Sequence, residues 1–166
     1  MQIYKYDDQY IKDIQAIVER VHMLVSRGHT PHLVGLYRGS LPMTTHLSNI
    51  LPCEMSIIDF QSYDLPVGTT KQFGVVKEPT WVVNRTQEFD TLIVLDDIFD
   101  TGQTMEKVRA FLKKERPESY VECHVLVGGK RAEEAEVFYY TKHTGDWVVF
   151  PWEMDHNEYL LNHKEQ

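Results

Sequence analysis

Cysteine is scarce. Cys53 and Cys123 are the two in 166 residues, and they form no CxxC pair and no disulfide framework. Each lies among apolar residues and reads as a small buried hydrophobe, which suits a reducing compartment. Long hydrophobic runs are missing as well. No apolar stretch approaches the roughly 18 residues of a membrane helix, so no membrane association is expected. The start, Met1-Gln2-Ile3-Tyr4-Lys5-Tyr6-Asp7-Asp8, lacks the basic residues and apolar run of a secretory signal. A cytoplasmic location is the expectation. Positive charge is in deficit: 17 Lys+Arg face 25 Asp+Glu, a net charge of −8. A general nucleic-acid binder needs a basic face, so no nucleic-acid partner is expected. A small phosphorylated ligand in a locally positive pocket stays open. The eight histidines show no metal-ligand spacing and read as structural or exposed; His32 has no visible partner.

What remains is ordinary globular composition, 42% hydrophobic and 25% charged, at a length that suggests one domain over 1–166. Tyr10, Ile11, Ile14, Ile17, Val18, Val21, Leu24 and Val25 recur at helical spacing over residues 8–27, with Gly28 at a C-cap position. Residues 32–36 and 55–60 read as strands, and 42–49 as a helix with Pro42 in its first turn. Residues 62–80 carry glycines and prolines without periodicity and read as a functional or mobile loop. The alternative is a hairpin pairing Phe73, Val75 and Val76 with Trp81-Val82-Val83. Leu92-Ile93-Val94-Leu95 is a short aliphatic run typical of a strand covered on both faces. A helix over 103–114 and strands over 121–127, 137–140 and 147–150 follow. Alternating helices and strands predict an α/β fold with a mostly parallel sheet.

The chemistry concentrates in Asp96-Asp97-Ile98-Phe99-Asp100-Thr101-Gly102-Gln103-Thr104, directly after the aliphatic strand. Ligands of open α/β sheets sit beyond the carboxyl ends of strands. Two adjacent carboxylates there can accept hydrogen bonds from a sugar diol or help hold a divalent cation. Asp100 to Thr104 then opens a helix, whose backbone N–H groups and Thr hydroxyls suit a phosphate. Gly102 permits close approach or a positive φ. Diol acceptors beside a phosphate cradle match a ribose 5-phosphate. Three other readings compete. A capped helix after an acidic strand end needs no function. Asp-Thr-Gly also marks aspartic protease half-sites, but those are all-β and need a second copy. Gly129-Lys130 lacks the other residues of a P-loop.

Residues 92–104 resemble the phosphoribosyl-pyrophosphate (PRPP) signature of type I phosphoribosyltransferases: aliphatic strand, two acids, spacer, Thr-Gly-x-Thr. The resemblance is closest to bacterial xanthine-guanine and hypoxanthine-guanine enzymes. It implies a central, mostly parallel sheet of about five strands flanked by helices, with a small hood from the chain ends over the base. It implies transfer of a ribose 5-phosphate from PRPP to a 6-oxopurine (xanthine, guanine or hypoxanthine), with Mg²⁺ as cofactor. It further implies a homodimer or homotetramer. By the same resemblance, Asp96 and Asp97 hold the ribose, directly or through metal. Residues Asp100, Thr101, Gly102, Gln103 and Thr104 hold the 5-phosphate, although relatives often have Gly or Lys where Gln103 stands.

Arg38, Gly39 and Ser40 resemble the pyrophosphate loop, in which a cis peptide is expected at Arg38-Gly39. Relatives commonly carry a second Gly at the place of Ser40. Ser62-Tyr63 resembles the opening of a lid that closes over PRPP. Asp100 matches the acid of 6-oxopurine enzymes, which handles the purine N7 proton while N9 attacks; capping of the next helix is its structural alternative. Lys130 resembles the donor to the 6-oxo group, with Arg131 as rival. Trp147-Val148-Val149-Phe150-Pro151-Trp152-Glu153 resembles the base-binding segment: Trp147 stacks, the Val148 backbone reads the base edge, and Glu153 stands near a second metal. Asp155 competes with Glu153 for that acid role. Two alternatives of the same fold remain: a non-catalytic PRPP or nucleotide sensor, and a transferase for another base.

Overall fold

The computed structural model describes residues 1–5, 7–59, 80–83 and 88–153. Strand β1 (Gln2–Ile3) leads into helix α1 (Asp8–Ser26), and strand β2 (Pro31–Tyr37) into helix α2 (Leu41–Ile50). Strands β3 (Met55–Asp59), β4 (Thr80–Val83) and β5 (Thr91–Ile98) precede helix α3 (Gln103–Glu115). Strand β6 (Tyr120–Gly128), helix α4 (Lys130–Glu134), strand β7 (Phe138–Lys142) and strand β8 (Val148–Val149) complete the described chain. The main sheet runs β4-β3-β2-β5-β6-β7. Five of these strands are mutually parallel, as the alternating pattern predicts; β4 adds a sixth, antiparallel to β3. The strand over 81–83 therefore exists, paired with β3. Residues 73–76, its other suggested partner, lie outside the described residues, as do Ser62, Tyr63 and Asp155.

The helices form because their apolar residues fall on one stripe. Ile14, Ile17, Val21 and Leu24 of α1 are all buried. The Asp7 carboxylate caps this helix by accepting from the Gln9 N–H at 2.9 Å. In β5 the aliphatic run splits between the two faces of the sheet. Ile93 and Leu95 join the core under α1 and α2, while Leu92 and Val94 join the core under α3. That double burial explains why the strand lacks polar alternation. Gly35 is needed in β2: a Cβ there would meet Thr44 Oγ1 of α2 at 2.6 Å.

Polar groups tie the layers together. The buried Glu122 carboxylate of β6 accepts from Arg20 Nε at 2.8 Å and Nη2 at 2.6 Å, and pairs with His124 Nε2 at 2.8 Å. His124 Nδ1 is 2.6 Å from the Tyr140 hydroxyl. Buried Asp13 of α1 accepts from the Tyr4 hydroxyl at 2.7 Å and from Thr141 Oγ1 at 2.9 Å. His32 does have partners: Ser56 Oγ at 2.5 Å and the Phe89 ring stacked at 4.3 Å. Both lie far away in sequence, so local spacing gave no sign of them. Cys123 is buried and Cys53 half-buried; both are free.

The chain ends meet. Gln2 and Ile3 of β1 pair in parallel with Val148 and Val149 of β8, forming a separate two-stranded sheet. Among the parallel strands, β2 has β3 on one side and β5 on the other, so the direction of winding reverses between β2 and β5. A crevice opens beyond the carboxyl ends of strands at such a switch point. The β2–β5 register aligns Gly35 with Leu95. The residues after Gly35 and those after Leu95 therefore flank the same crevice.

Candidate active site

Two cavities share a wall at this point. The first, of about 300 Å³, is lined by Gly39 after β2, Asp96 and Asp97 at the end of β5, and Asp100, Thr101 and Gly102 leading into α3. The second, of about 400 Å³, is lined by Asp97, Asp100, His143, Trp147, Val148 and Glu153 among others. Asp97, Ile98 and Asp100 belong to both walls.

The floor of the first cavity is the start of α3. Gly102 occupies its N-cap with φ 85°, and no side chain caps the helix. The first-turn N–H groups and the positive end of the helix dipole are thus left for an anion. Gly102 is required there on two counts: its φ lies in the left-handed region, and a Cβ would meet Phe99 Cζ at 2.8 Å. Asp100 makes no capping bond. Its carboxylate is exposed where the two cavities join. Thr104 lines the first cavity, whereas Gln103 does not.

Asp97 is buried and Asp96 half-buried. Burial raises the Asp96 carboxyl well above its ordinary range, and the Asp97 charge adds to this. Burial, with repulsion from Glu153, pushes Asp97 up to about 6. The Asp97 N–H donates to Asp96 Oδ1 at 3.0 Å. Glu153 accepts from the Phe150 N–H at 3.1 Å, which holds it in the turn after β8. Gly39 explains how Asp97 is seated: a Cβ on Gly39 would stand 2.0 Å from Asp97 Oδ2. The carboxylate therefore rests against bare backbone.

Several predicted site residues lie elsewhere. Ser40 is fully buried, and its hydroxyl donates to the Leu36 carbonyl at 2.7 Å. That bond closes the turn after β2 and keeps the hydroxyl out of the cavity. The cis peptide is Tyr37-Arg38, one residue before the expected Arg38-Gly39. The turn that begins at Leu36 and closes at Ser40 brackets both bonds, and the motif alone does not distinguish them. The exposed Arg38 side chain is not among the described residues that line either cavity. Lys130 starts α4 with its side chain 86% exposed and Nζ 3.5 Å from Glu134. It is an i,i+4 surface pair and lines no wall of the second cavity. Trp147, by contrast, stands 77% exposed on that wall. His143 and Asp146 also line it, though sequence spacing gave them no role. Their proximity to Trp147, in the connection between β7 and β8, is the one signal that pointed to them.

A parallel sheet with its ligand crevice at the winding reversal defines a doubly wound α/β protein. The family model of the phosphoribosyl transferase domain matches residues 3–159, and the chain belongs to that family. It is 29% identical over 103 residues to the hypoxanthine phosphoribosyltransferase of Salmonella typhimurium, covering 61% of this chain and 56% of that protein. It is 34% identical over 86 residues to the hypoxanthine-guanine phosphoribosyltransferase of Lactococcus lactis, covering 52% and 46%. The matched stretches thus span about half the length of these relatives. The fold is similar to the xanthine-guanine-hypoxanthine phosphoribosyltransferase of Helicobacter pylori, with a TM-score of 0.71 at 24% identity over 98% of this chain and 99% of that one. It is also similar to a purine phosphoribosyltransferase from Pyrococcus horikoshii, with a TM-score of 0.64 at 22% identity over 93% and 94%. No helix among the described residues is long and apolar enough to cross a membrane.

Proposed function

We propose that this chain, acting as one domain over residues 1–166, is a purine-salvage phosphoribosyltransferase. It joins xanthine, guanine or hypoxanthine to PRPP, releasing the nucleoside 5′-monophosphate and pyrophosphate. The observation that carries the reading is Asp100. Its carboxylate is uncommitted to capping and belongs to both the anion-suited cavity and the aromatic one. A reaction that joins a phosphorylated sugar to a flat base needs a proton acceptor at such a junction.

The roles in this reading are as follows. The backbone and hydroxyls from Thr101 to Thr104 bind the 5-phosphate at the uncapped helix start. Asp96 and Asp97 accept from the ribose hydroxyls, and the turn at Arg38 and Gly39 receives the pyrophosphate. Trp147 stacks on the base and the Val148 backbone meets its edge. N9 attacks C1′, the C1′–O bond to pyrophosphate breaks with its electron pair leaving on oxygen, and Asp100 takes the N7 proton. Lys130, paired with Glu134, has no role at the base in this assignment.

The acidic pair fits Mg²⁺. Asp96, Asp97 and the nearby Glu153 concentrate negative charge: burial raises both aspartates, with the Asp97 charge adding to Asp96 and the Glu153 charge adding to Asp97. The donors are hard oxygens. No cluster of three or more metal-ligating side chains is set among the described residues. Two carboxylates completed by substrate oxygens are the arrangement Mg²⁺ favours. Held by Asp96 and Asp97, Mg²⁺ would supply neutralisation of the charge that develops on the departing pyrophosphate.

Asp100→Asn tests the assignment. The expected result is a kcat reduced by about 10²-fold or more with the KM for PRPP changed little. An unchanged kcat would refute the proton role.

A further inference from the structure

The second cavity has an unusual wall for a site that reads a neutral heterocycle. Four carboxylates line it, from Asp97, Asp100, Asp146 and Glu153. Apart from the Trp147 indole, the only lining side chain among the described residues with a ring nitrogen is His143. With Lys130 turned to Glu134, no Lys side chain among the described residues lines this wall, and the Met1 ammonium meets it at Asp146, 3.5 Å from Oδ2.

His143 is held with care. Its backbone N–H donates to the Gly128 carbonyl at 2.6 Å, at the end of β6. Its Nε2 lies 2.9 Å from the Asp146 carbonyl. A carbonyl only accepts, so Nε2 carries the proton and Nδ1 of the neutral ring is an acceptor. Nδ1 has no partner among the described residues. The residues on either side are fixed by one side chain from the opposite chain end. Gln2 Nε2 donates to the Lys142 carbonyl at 3.1 Å, and Gln2 Oε1 accepts from the Thr144 N–H at 3.1 Å and its hydroxyl at 3.2 Å. The Gln2 N–H donates to the Trp147 carbonyl at 2.8 Å. Strand β1 thus clamps the segment that carries both His143 and the exposed indole.

We infer that His143 is a specificity-determining residue that reads the six-membered edge of the purine, and that Gln2 positions it. The inference rests on the proposed transferase reading and deepens it. A 6-oxopurine presents an N1–H beside its O6, and that N–H satisfies the Nδ1 lone pair. Adenine presents a lone pair at N1, so two acceptors would face each other and adenine is disfavoured.

The test pairs kinetics with direct binding. For His143→Ala, the KM for hypoxanthine and guanine should rise roughly five- to tenfold, the worth of one hydrogen bond. The KM for PRPP should stay within about twofold, and discrimination against adenine should narrow by a similar factor. His143→Gln offers both a donor and an acceptor and should recover part of the loss. Gln2→Ala should raise the KM for the base in the same direction, again sparing PRPP. Calorimetry with inosine and adenosine 5′-monophosphates, together with melting temperatures, separates the possible failures. If the wild type turns over but His143→Ala leaves base KM and nucleotide preference unchanged, His143 is not a reader and the transferase reading stands. If the wild type does not turn over yet loses its inosine nucleotide preference in His143→Ala, the reader survives and the transferase reading fails. Equal losses for base and PRPP, with a lowered melting temperature and no rescue by Gln, would reduce His143 to a structural part and overturn the inference.

Discussion

Gly39→Ala is the sharpest perturbation of the first cavity, the proposed PRPP site. The added methyl would stand 2.0 Å from Asp97 Oδ2 and 2.6 Å from Asp97 Cγ, against the 3.4 Å at which ordinary contact begins. The carboxylate must therefore retreat by about 1.4 Å, or the turn after β2 must move by as much. Misplacing a catalytic group by about 1 Å costs on the order of 10²-fold in rate, or about 2.7 kcal/mol of transition-state stabilisation. No φ penalty contributes, because Gly39 is not among the glycines with positive φ. Steady-state kinetics with Mg²⁺-PRPP varied against saturating base should show kcat/KM for PRPP down about 10²-fold. The KM for the base should change far less, and the circular dichroism spectrum should remain native. Wild-type kcat/KM for PRPP in a folded Gly39→Ala protein would refute the claim that Asp97 must rest against bare backbone.

Other perturbations reach different parts of the account. Gly102→Ala forces a side chain into φ 85° and toward Phe99; inorganic phosphate binding should weaken and the melting temperature should fall, both measurable by calorimetry. Removing Mg²⁺ with EDTA should abolish turnover, with restoration on adding excess metal. Arg20→Met leaves the buried Glu122 carboxylate with His124 alone. The cost should be about 3 kcal/mol, a drop of roughly 6–12 °C in Tm. Burial alone would raise the Glu122 carboxyl, but hydrogen bonds from Arg20 and His124 hold it down to about 2. A carboxyl held low in the folded state binds fewer protons there than when unfolded. Its stabilisation is present above about pH 4.5 and is lost as pH falls toward 2. Urea titrations between pH 5 and 3 should show wild-type stability falling, with a shallower slope in Arg20→Met.

Much of the fold was legible because its signals are local. The stripe of α1, the aliphatic β5 and the Asp-Thr-Gly opening of α3 each follow from short-range pattern; α1 and α3 stand within a residue of their expected bounds, whereas β5 runs three residues past Leu95 and takes Asp96 and Asp97 into the strand. The two cavities also formed largely around the residues the motif singled out. What was missed depends on distant contacts. Ser40 looked like a site residue, but its hydroxyl is consumed by the turn it closes. Lys130 looked like a base donor; a five-residue helix sets it beside Glu134 instead. The two-residue strands β1 and β8 are too short for periodicity, and they stand through pairing across the whole chain. His143 acquires its place only through Gly128, Asp146 and Gln2, none of which a local pattern connects to it.

The central claim is that the crevice transfers a ribosyl phosphate to a 6-oxopurine. Nucleotide formation from Mg²⁺-PRPP, assayed side by side with hypoxanthine, guanine, xanthine, adenine, orotate and uracil and repeated with EDTA, tests it most directly. Metal-dependent product with the 6-oxopurines alone is the predicted result. Product with adenine, orotate or uracil instead, or silence across all six while calorimetry still detects PRPP binding, would contradict it; silence of that kind would point to a sensor built on the same fold.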